Sequence, residues 1–397
     1  MKKNKHQEAV HNIMIYLDHN ATTALEPAVL EEMLPYFREQ FGNASSYYRL
    51  GREAKEVLEQ SRETVAALIG AQPAEVIFTS GGTESDNLAI RGIARALREK
   101  GNHIITSSIE HHAVLRTCED LQNDGFSVTY LPVDGSGTIN PDDVKRRIGK
   151  KTILISLMYV NNETGVIQPI EEVGKIAREA GIIFHTDAVQ AAGKLPLDVE
   201  LLNVDLLSIT AHKIHGPKGI GALYVRRGTP LRPVMTGGHH EHNLRAGTEN
   251  LPAIAGFAKA LSLVSEQRET EVRSIALLRE RLESQVLAQI PDIQINGAGA
   301  PRVANTSNIS FYSIDGESIL LHLDLRGIYA STGSACTTGS PEPSHVLRAM
   351  GVPDSIAQGS IRFSLGRDNT EQEIDTVVDA LVEITAHLRA ITSLKAG

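Results

Sequence analysis

Three short stretches carry residue types that do chemistry together. In Phe78-Thr79-Ser80-Gly81-Gly82-Thr83-Glu84-Ser85-Asp86-Asn87 a small, polar, glycine-bearing turn sits between a strand-like run and a helical one. Backbone N–H groups at such a helix start can cradle a phosphate, and glycine permits close approach, although a plain helix cap has the same look. The second stretch, Ile182 to Gln190, puts Asp187 at the C-terminal end of an apolar strand, the edge at which α/β sheets hold ligands. A carboxylate there either caps the next helix or keeps a cofactor's pyridine nitrogen protonated. In the third, Ser208 to Gly219, Lys213 follows a buried strand. An ammonium is costly there unless it is neutralised or used, and bonding to an aldehyde does both. Lys218, in a Gly-Pro-Lys-Gly turn, reads as solvated. Turn, carboxylate and lysine, in that order on successive strands, together point to pyridoxal phosphate.

These groups need a frame that brings strand ends together. Short runs at Val76 to Thr79, His103 to Thr106, Ser127 to Leu131, Ile153 to Met158, Ile182 to His185, Leu206 to Thr210 and Gly221 to Val225 read as strands, several of them β-branched and apolar throughout as strands buried on both faces should be. Helical stretches lie between them: Ser85 to Lys100, His111 to Asn123 and Ile170 to Ala180, the last stopping at Gly181. The expected fold class is α/β with a mostly parallel sheet. Beyond Leu251-Pro252 the texture changes to a long helix, Ala253 to Gln289. Strands at Asn308 to Tyr312 and Ser360 to Leu365 follow, with a helix after Asp315-Gly316-Glu317 and a final one from Thr370. The expected division is an N-terminal extension over 1–15, a large cofactor-binding domain over 16–260 and a smaller α+β domain over 261–397.

Composition narrows the class. The chain has 397 residues, 41% of them hydrophobic, and 39 Lys+Arg against 48 Asp+Glu give a formal net charge of -9. No overall positive field is present to draw nucleic acid or anionic lipid. The N-terminus has no apolar block of the signal-peptide kind, and no apolar run reaches the ~20 residues needed to cross a membrane. The two cysteines cannot build a disulfide framework or a four-thiolate metal site, and their scarcity fits a cytoplasmic protein. Cys118 shares a helical face with Leu115 and Leu121 and reads as packing. Cys336, in the polar loop Ser331 to Pro341, reads as an accessible thiol. His239, His240 and His242 have no carboxylate or thiol partner motif and read as a polar rim, with no metal expected.

The chain resembles the cysteine desulfurases, fold-type I pyridoxal-phosphate enzymes of aminotransferase class V, and within them the nitrogen-fixation type. The stretches that carry the resemblance are Tyr16 to Thr23, Phe41-Gly42-Asn43, the glycine turn, Asn161 to Gly165, His185 to Gln190, Ala211 to Gly219, Arg245 to Asn250, Gly333 to Cys336 and Ser360 to Arg367. The resemblance implies that Lys213 bonds the cofactor, Asp187 faces its pyridine nitrogen, and Gln190 and Asn162 lie near its phenolic oxygen. His111 would stack on the ring, unless it merely caps a helix. Gly82, Thr83, Thr210 and His212 would hold the phosphate, with Thr248 reaching across a homodimer interface. Arg362 would pair with the substrate carboxylate, as its bidentate fork suits; otherwise it only bridges strands.

The implied catalytic residues are Cys336, Lys213 and His111. The implied reaction takes sulfur from L-cysteine onto Cys336 as a persulfide, leaves L-alanine, and passes the sulfur to an iron–sulfur scaffold or another acceptor protein. Another pyridoxal-phosphate reaction on the same fold, such as selenocysteine lysis or aminotransfer, and a non-catalytic sulfur relay are the competing readings. The chain departs from the family pattern at Ala44, Tyr48, His242, Leu244 and Pro341, none of which removes a proposed catalytic group.

Overall fold

The computed structural model describes residues 14–332 and 343–395. Among them the larger sheet has seven strands: β1 (Val76–Thr79), β2 (His103–Ser107), β3 (Ser127–Leu131), β4 (Thr152–Met158), β5 (Ile183–Asp187), β6 (Leu206–Thr210) and β7 (Gly221–Val225). Their spatial order is β1-β7-β6-β5-β4-β2-β3. Strands β2 to β6 are mutually parallel, and β7 runs antiparallel to both its neighbours, β6 and β1. The mostly parallel α/β class therefore holds, with β7 as the one reversed strand in this sheet.

The pleat explains why the inner strands are largely apolar, whereas the edge strand β3 runs from an exposed Ser127 through half-buried residues to a buried Leu131. Alternate side chains point to opposite faces. Phe78, Ile105, Ile155, Leu207 and Tyr224 enter the core on one side of the sheet. Their neighbours Ile77, Ile104, Leu154, Leu206 and Leu223 enter the core on the other. Cys118 packs in that second layer with Val114 and Leu121, and burial pushes its thiol up to about 12.

A further apolar cluster forms around a smaller antiparallel sheet of β8 (Ile293–Asn296), β9 (Thr306–Phe311) and β10 (Ser360–Ser364), in the order β10-β9-β8. The helix Leu251–Gln289 serves both regions. It starts at Asn250, whose side chain accepts the Ala253 N–H, and runs 39 residues, about 58 Å. Ile254, Phe257 and Leu261 pack against the large sheet, while Ile275, Leu282 and Val286 pack against the small one. Residue 260 thus falls inside a continuous helix. The chain also enters the smaller core first. Ile15–Tyr16 pairs in parallel with Ile328–Tyr329, and Leu17 packs beside Phe311 and Phe363, although Leu17 was expected at the start of the large unit. Strand pairing outweighs sequence proximity there.

Two helices, Pro27–Arg38 and Arg49–Leu68, and the short strands at 15–16, 293–296 and 328–329 were not read from the sequence. The glycine-turn helix spans Gly82–Leu97, starting three residues before the expected Ser85, which brings Gly82 and Thr83 into its first turn.

Candidate active site

A cleft of about 400 Å³ opens where β4, β5 and β6 end, and Asp18, Asn20, Ala21 and Arg362 of β10 close it from the other side. Register sets its floor: Met158 pairs with Asp187, and Asp187 with Ser208, so three strand ends arrive level. The expected strand ended at His185, but β5 runs on to Asp187, which puts the carboxylate on the last strand residue. Asp187 Oδ1 accepts the Val189 N–H at 2.9 Å. Burial pushes its carboxyl up to about 6, opposed by that hydrogen bond and by the positive charge of Lys213. Behind it lies a second buried acid, Asp86, whose Oδ1 is 3.6 Å from His185 Nε2 and has no hydrogen-bond partner among the described residues.

The glycine turn forms one end of the cleft. Gly81 has φ 151° and ψ -177°, a conformation that a Cβ disfavours, and it starts the helix without a side-chain cap. The first-turn N–H groups therefore have no capping side chain to occupy them. A Cβ on Gly82 would lie 2.7 Å from Val189 Cγ2, so the turn can sit this close to the Asp187 segment only with glycine there. Thr210 and His212 line the same end. The Thr210 hydroxyl donates to the Ile220 carbonyl at 3.1 Å, and the His212 carbonyl accepts from both the N–H and the hydroxyl of Thr23. The 18–23 segment thereby clips the turn that carries Lys213.

Lys213 Nζ donates to the Ala21 carbonyl at 2.7 Å and to the Asn20 carbonyl. Burial first, and the Arg362 charge second, hold its amine down to about 8. His111 is indeed the cap of the helix His112–Asn123, and it also lines the cleft. Its Nδ1 accepts the Ala113 N–H at 3.1 Å, so a neutral ring carries its proton on Nε2. Burial, then Lys213, hold it down to about 4, so the ring is neutral at physiological pH.

Arg362 is buried, which removes the reading as a surface strand bridge. Its Nη2 donates to Asp18 Oδ1 at 2.6 Å and its Nη1 to the Asn162 carbonyl at 3.0 Å, while its Nε has no partner among the described residues. The Arg362 backbone N–H donates to the Ser331 carbonyl at 2.6 Å, which ties Ser331 to the cleft wall. The Ser344 hydroxyl donates to the buried Glu163 at 2.5 Å. Cys336 and Pro341 lie outside the described residues.

Asn162 and Gln190 also line the cleft, so the expected cofactor set converges except for Thr248, which is exposed and outside it. The segment bearing Thr248 is tied back to the turn by Arg245, whose Nε donates to Glu84 at 2.9 Å. His239 and His240 are held locally, by Asn243 and by the Gly247 N–H. Asp18, Asn20, Asp86 and Lys194, for which the sequence alone indicates no role, also contact this constellation. Their signal is faint: single polar residues, most of whose partners lie far away in the chain.

The family model for class-V aminotransferases matches residues 15–377. The chain belongs to the class-V aminotransferase family. It is 51% identical over 381 residues to the cysteine desulfurase IscS of Dictyoglomus turgidum, covering 96% of this chain and 97% of that one. A solved NifS-like protein superposes with a TM-score of 0.89 at 39% identity, covering 95% of this chain and all of that one. A solved structure of SspA in complex with cysteine superposes with a TM-score of 0.81 at 38% identity, covering 90% of this chain and all of that one. Class-V aminotransferases use pyridoxal phosphate, and the residues present fit it. An uncapped helix start suits a phosphate, a lysine with a lowered pKa suits an aldehyde, and a buried carboxylate suits a cationic ring nitrogen.

Proposed function

We propose that this class-V enzyme is a cysteine desulfurase that converts L-cysteine to L-alanine and takes the sulfur onto Cys336. The observation that carries the proposal is the convergence of Lys213, Asp187 and Arg362 on one cleft in a chain half-identical to a cysteine desulfurase. Pyridoxal phosphate, when bound, supplies an aldehyde for the amine and a ring that draws electrons from the carbon beside it.

In this reading Gly82, Thr83, Thr210 and His212 hold the phosphate, with Thr248 of a second copy. Asp187 faces the pyridine nitrogen, and Gln190 and Asn162 the phenolic oxygen. Arg362 receives the substrate carboxylate, an acceptor for its buried Nε, which has none among the described residues. The Lys213 amine takes the proton from the substrate's α-carbon and returns it, and neutral His111 lies against the ring with its Nε2 proton available. The Cys336 thiolate then attacks the substrate sulfur. The new S–S bond forms as the C–S bond breaks, and the electron pair stays with the carbon skeleton, which gains a proton and leaves as alanine. L-cysteine and a thiol thus become L-alanine and a persulfide, with no outside oxidant.

The same reading includes a homodimer, supported by Phe37, Phe41, Tyr47 and Tyr48, which are 60%, 67%, 95% and 61% exposed in the single chain. It includes a cytoplasmic location, supported by the low cysteine count, and an iron–sulfur scaffold as sulfur acceptor, of the nitrogen-fixation type. A division into two domains is proposed on the two apolar cores, which change over between Val264 and Ile275 of the long helix rather than at the expected residue 260. The test is product analysis of the purified protein with pyridoxal phosphate. Alanine and sulfide should form from L-cysteine in the presence of a reductant, faster than alanine from L-selenocysteine and with no amino transfer from ordinary donors. Aminotransfer without sulfide, or a strong preference for selenocysteine, overturns it.

A further inference from the structure

Lys194 lies behind the cleft rather than in its lining, yet its Nζ touches both amides that flank the reactive lysine. It donates to Gln190 Oε1 at 2.7 Å and to Asn20 Oδ1 at 3.1 Å. Gln190 Nε2 in turn donates to the Asn20 carbonyl at 3.0 Å, the same oxygen that receives Lys213 Nζ. A lysine amine in contact with two oxygens acts as donor, and a carbonyl only accepts. The Gln190 amide therefore has a single orientation that satisfies both neighbours, with oxygen toward Lys194 and nitrogen toward Asn20. Flipped, it would set NH2 against an amine and oxygen against oxygen.

Asn20 is fixed in the same way. Its Oδ1 accepts from Lys194 and, at 3.0 Å, from Asn305 Nδ2. Its Nδ2 donates to Thr306 Oγ1 at 2.8 Å and to the Asn162 carbonyl at 3.2 Å, which also receives Arg362 Nη1. One amine thus anchors hydrogen bonds that run to Lys213 on one side and Arg362 on the other. Burial, then the charges of Lys213 and Arg362, hold the Lys194 amine down to about 7. An amine donates to two oxygens whether charged or neutral, so the orientation survives either state.

We propose that Lys194 is a positioning residue for the desulfurase reaction: its Nζ sets the orientation of the Gln190 and Asn20 amides, and through them the carbonyl that holds Lys213. The inference rests on the reading of the cleft as a pyridoxal-phosphate site. Lys194→Met keeps the apolar stem and removes the donor. With the holoenzyme it should shift the visible absorption band of the bound cofactor and lower kcat for alanine formation about tenfold, the scale of one lost hydrogen bond to a charged group. KM for L-cysteine should change less than about twofold.

Lys194→Arg should restore the band, because a cavity of about 60 Å³ bordered by Ala192, Gly193 and Lys194 leaves room for the larger head. In a Gln190→Leu background, Lys194→Met should produce a much smaller band shift. An unchanged band and kcat in Lys194→Met, or an undiminished shift in the Gln190→Leu background, overturns the inference. Should the methionine variant lose its cooperative melting transition, Lys194→Gln, which keeps one donor group, reads the same comparison. Wild-type protein with no visible cofactor band or no alanine from L-cysteine contradicts the reading of the cleft instead.

Discussion

Lys213 donates from Nζ to the carbonyl oxygen of Asn20, 193 residues earlier in the chain. Asn20 arrives on the segment that begins as a strand of the smaller core, whereas Lys213 follows β6 of the larger sheet. The amine therefore sits where the two regions meet, and its environment depends on both.

That environment sets a pH dependence. Lysine is charged below its pKa, and a fall from 10.5 to about 8 raises the free-amine fraction at pH 7 to roughly a tenth, and at pH 9 to roughly nine-tenths. Uptake of pyridoxal phosphate by cofactor-free protein, followed as growth of visible absorbance, should accelerate with pH to a plateau with its midpoint near 8. Lys213→Ala should lack this phase. A midpoint near the ordinary lysine value would contradict the assigned environment.

Arg362 offers a fork that Lys cannot reproduce. Arg362→Lys should raise KM for L-cysteine roughly 10- to 100-fold, the scale of a hydrogen bond to a charged group, with a smaller change in kcat. Steady-state kinetics decides it, and an unchanged KM removes Arg362 from the substrate site.

Glu241 accepts from Arg62 Nη1 and Nη2 at 2.8 and 3.0 Å and from the Phe78 N–H at 2.8 Å, all fully buried. It also heads three consecutive non-glycine residues at positive φ: Glu241 at 44°, His242 at 56° and Asn243 at 66°. Glu241→Ala leaves the buried Arg62 with Glu59, 3.3 Å away, as its remaining counter-charge and the Phe78 N–H without its acceptor, and urea unfolding should show a loss of about 3 kcal/mol. A loss below ~1 kcal/mol would mean that water enters to replace the carboxylate.

Burial and neighbouring carboxylates make Cys118 a poor nucleophile, its thiol pushed up to about 12. Folded Cys336→Ser protein should therefore resist iodoacetamide, and unfolding it in guanidinium should expose one reactive thiol. Labelling of Cys118 in the folded protein would contradict its place in the core.

The inner strands of the large sheet were legible because both of their faces are buried, so apolar runs such as Ile153 to Met158 stand out without any partner information. Asp187 and Lys213 were legible because each follows such a run. The helix Arg49–Leu68 is amphipathic but carries charge on most of its turns, and it escaped notice. Asn20, Lys194 and Asp86 were illegible for a different reason. Each gains its meaning from hydrogen bonds or charges across the fold, as Asn20 does through partners at 162, 190, 213 and 305, and no local pattern announces such a node.

The central claim is that Cys336 accepts the substrate's sulfur. Mixing holoenzyme with L-cysteine under anaerobic conditions, without reductant, and recording intact and peptide masses tests it directly. The account predicts one added sulfur on the peptide bearing Cys336, an equivalent of alanine, and neither product in excess of traces with Cys336→Ser. Sulfur located elsewhere, or alanine formed at the wild-type rate by Cys336→Ser, would contradict it.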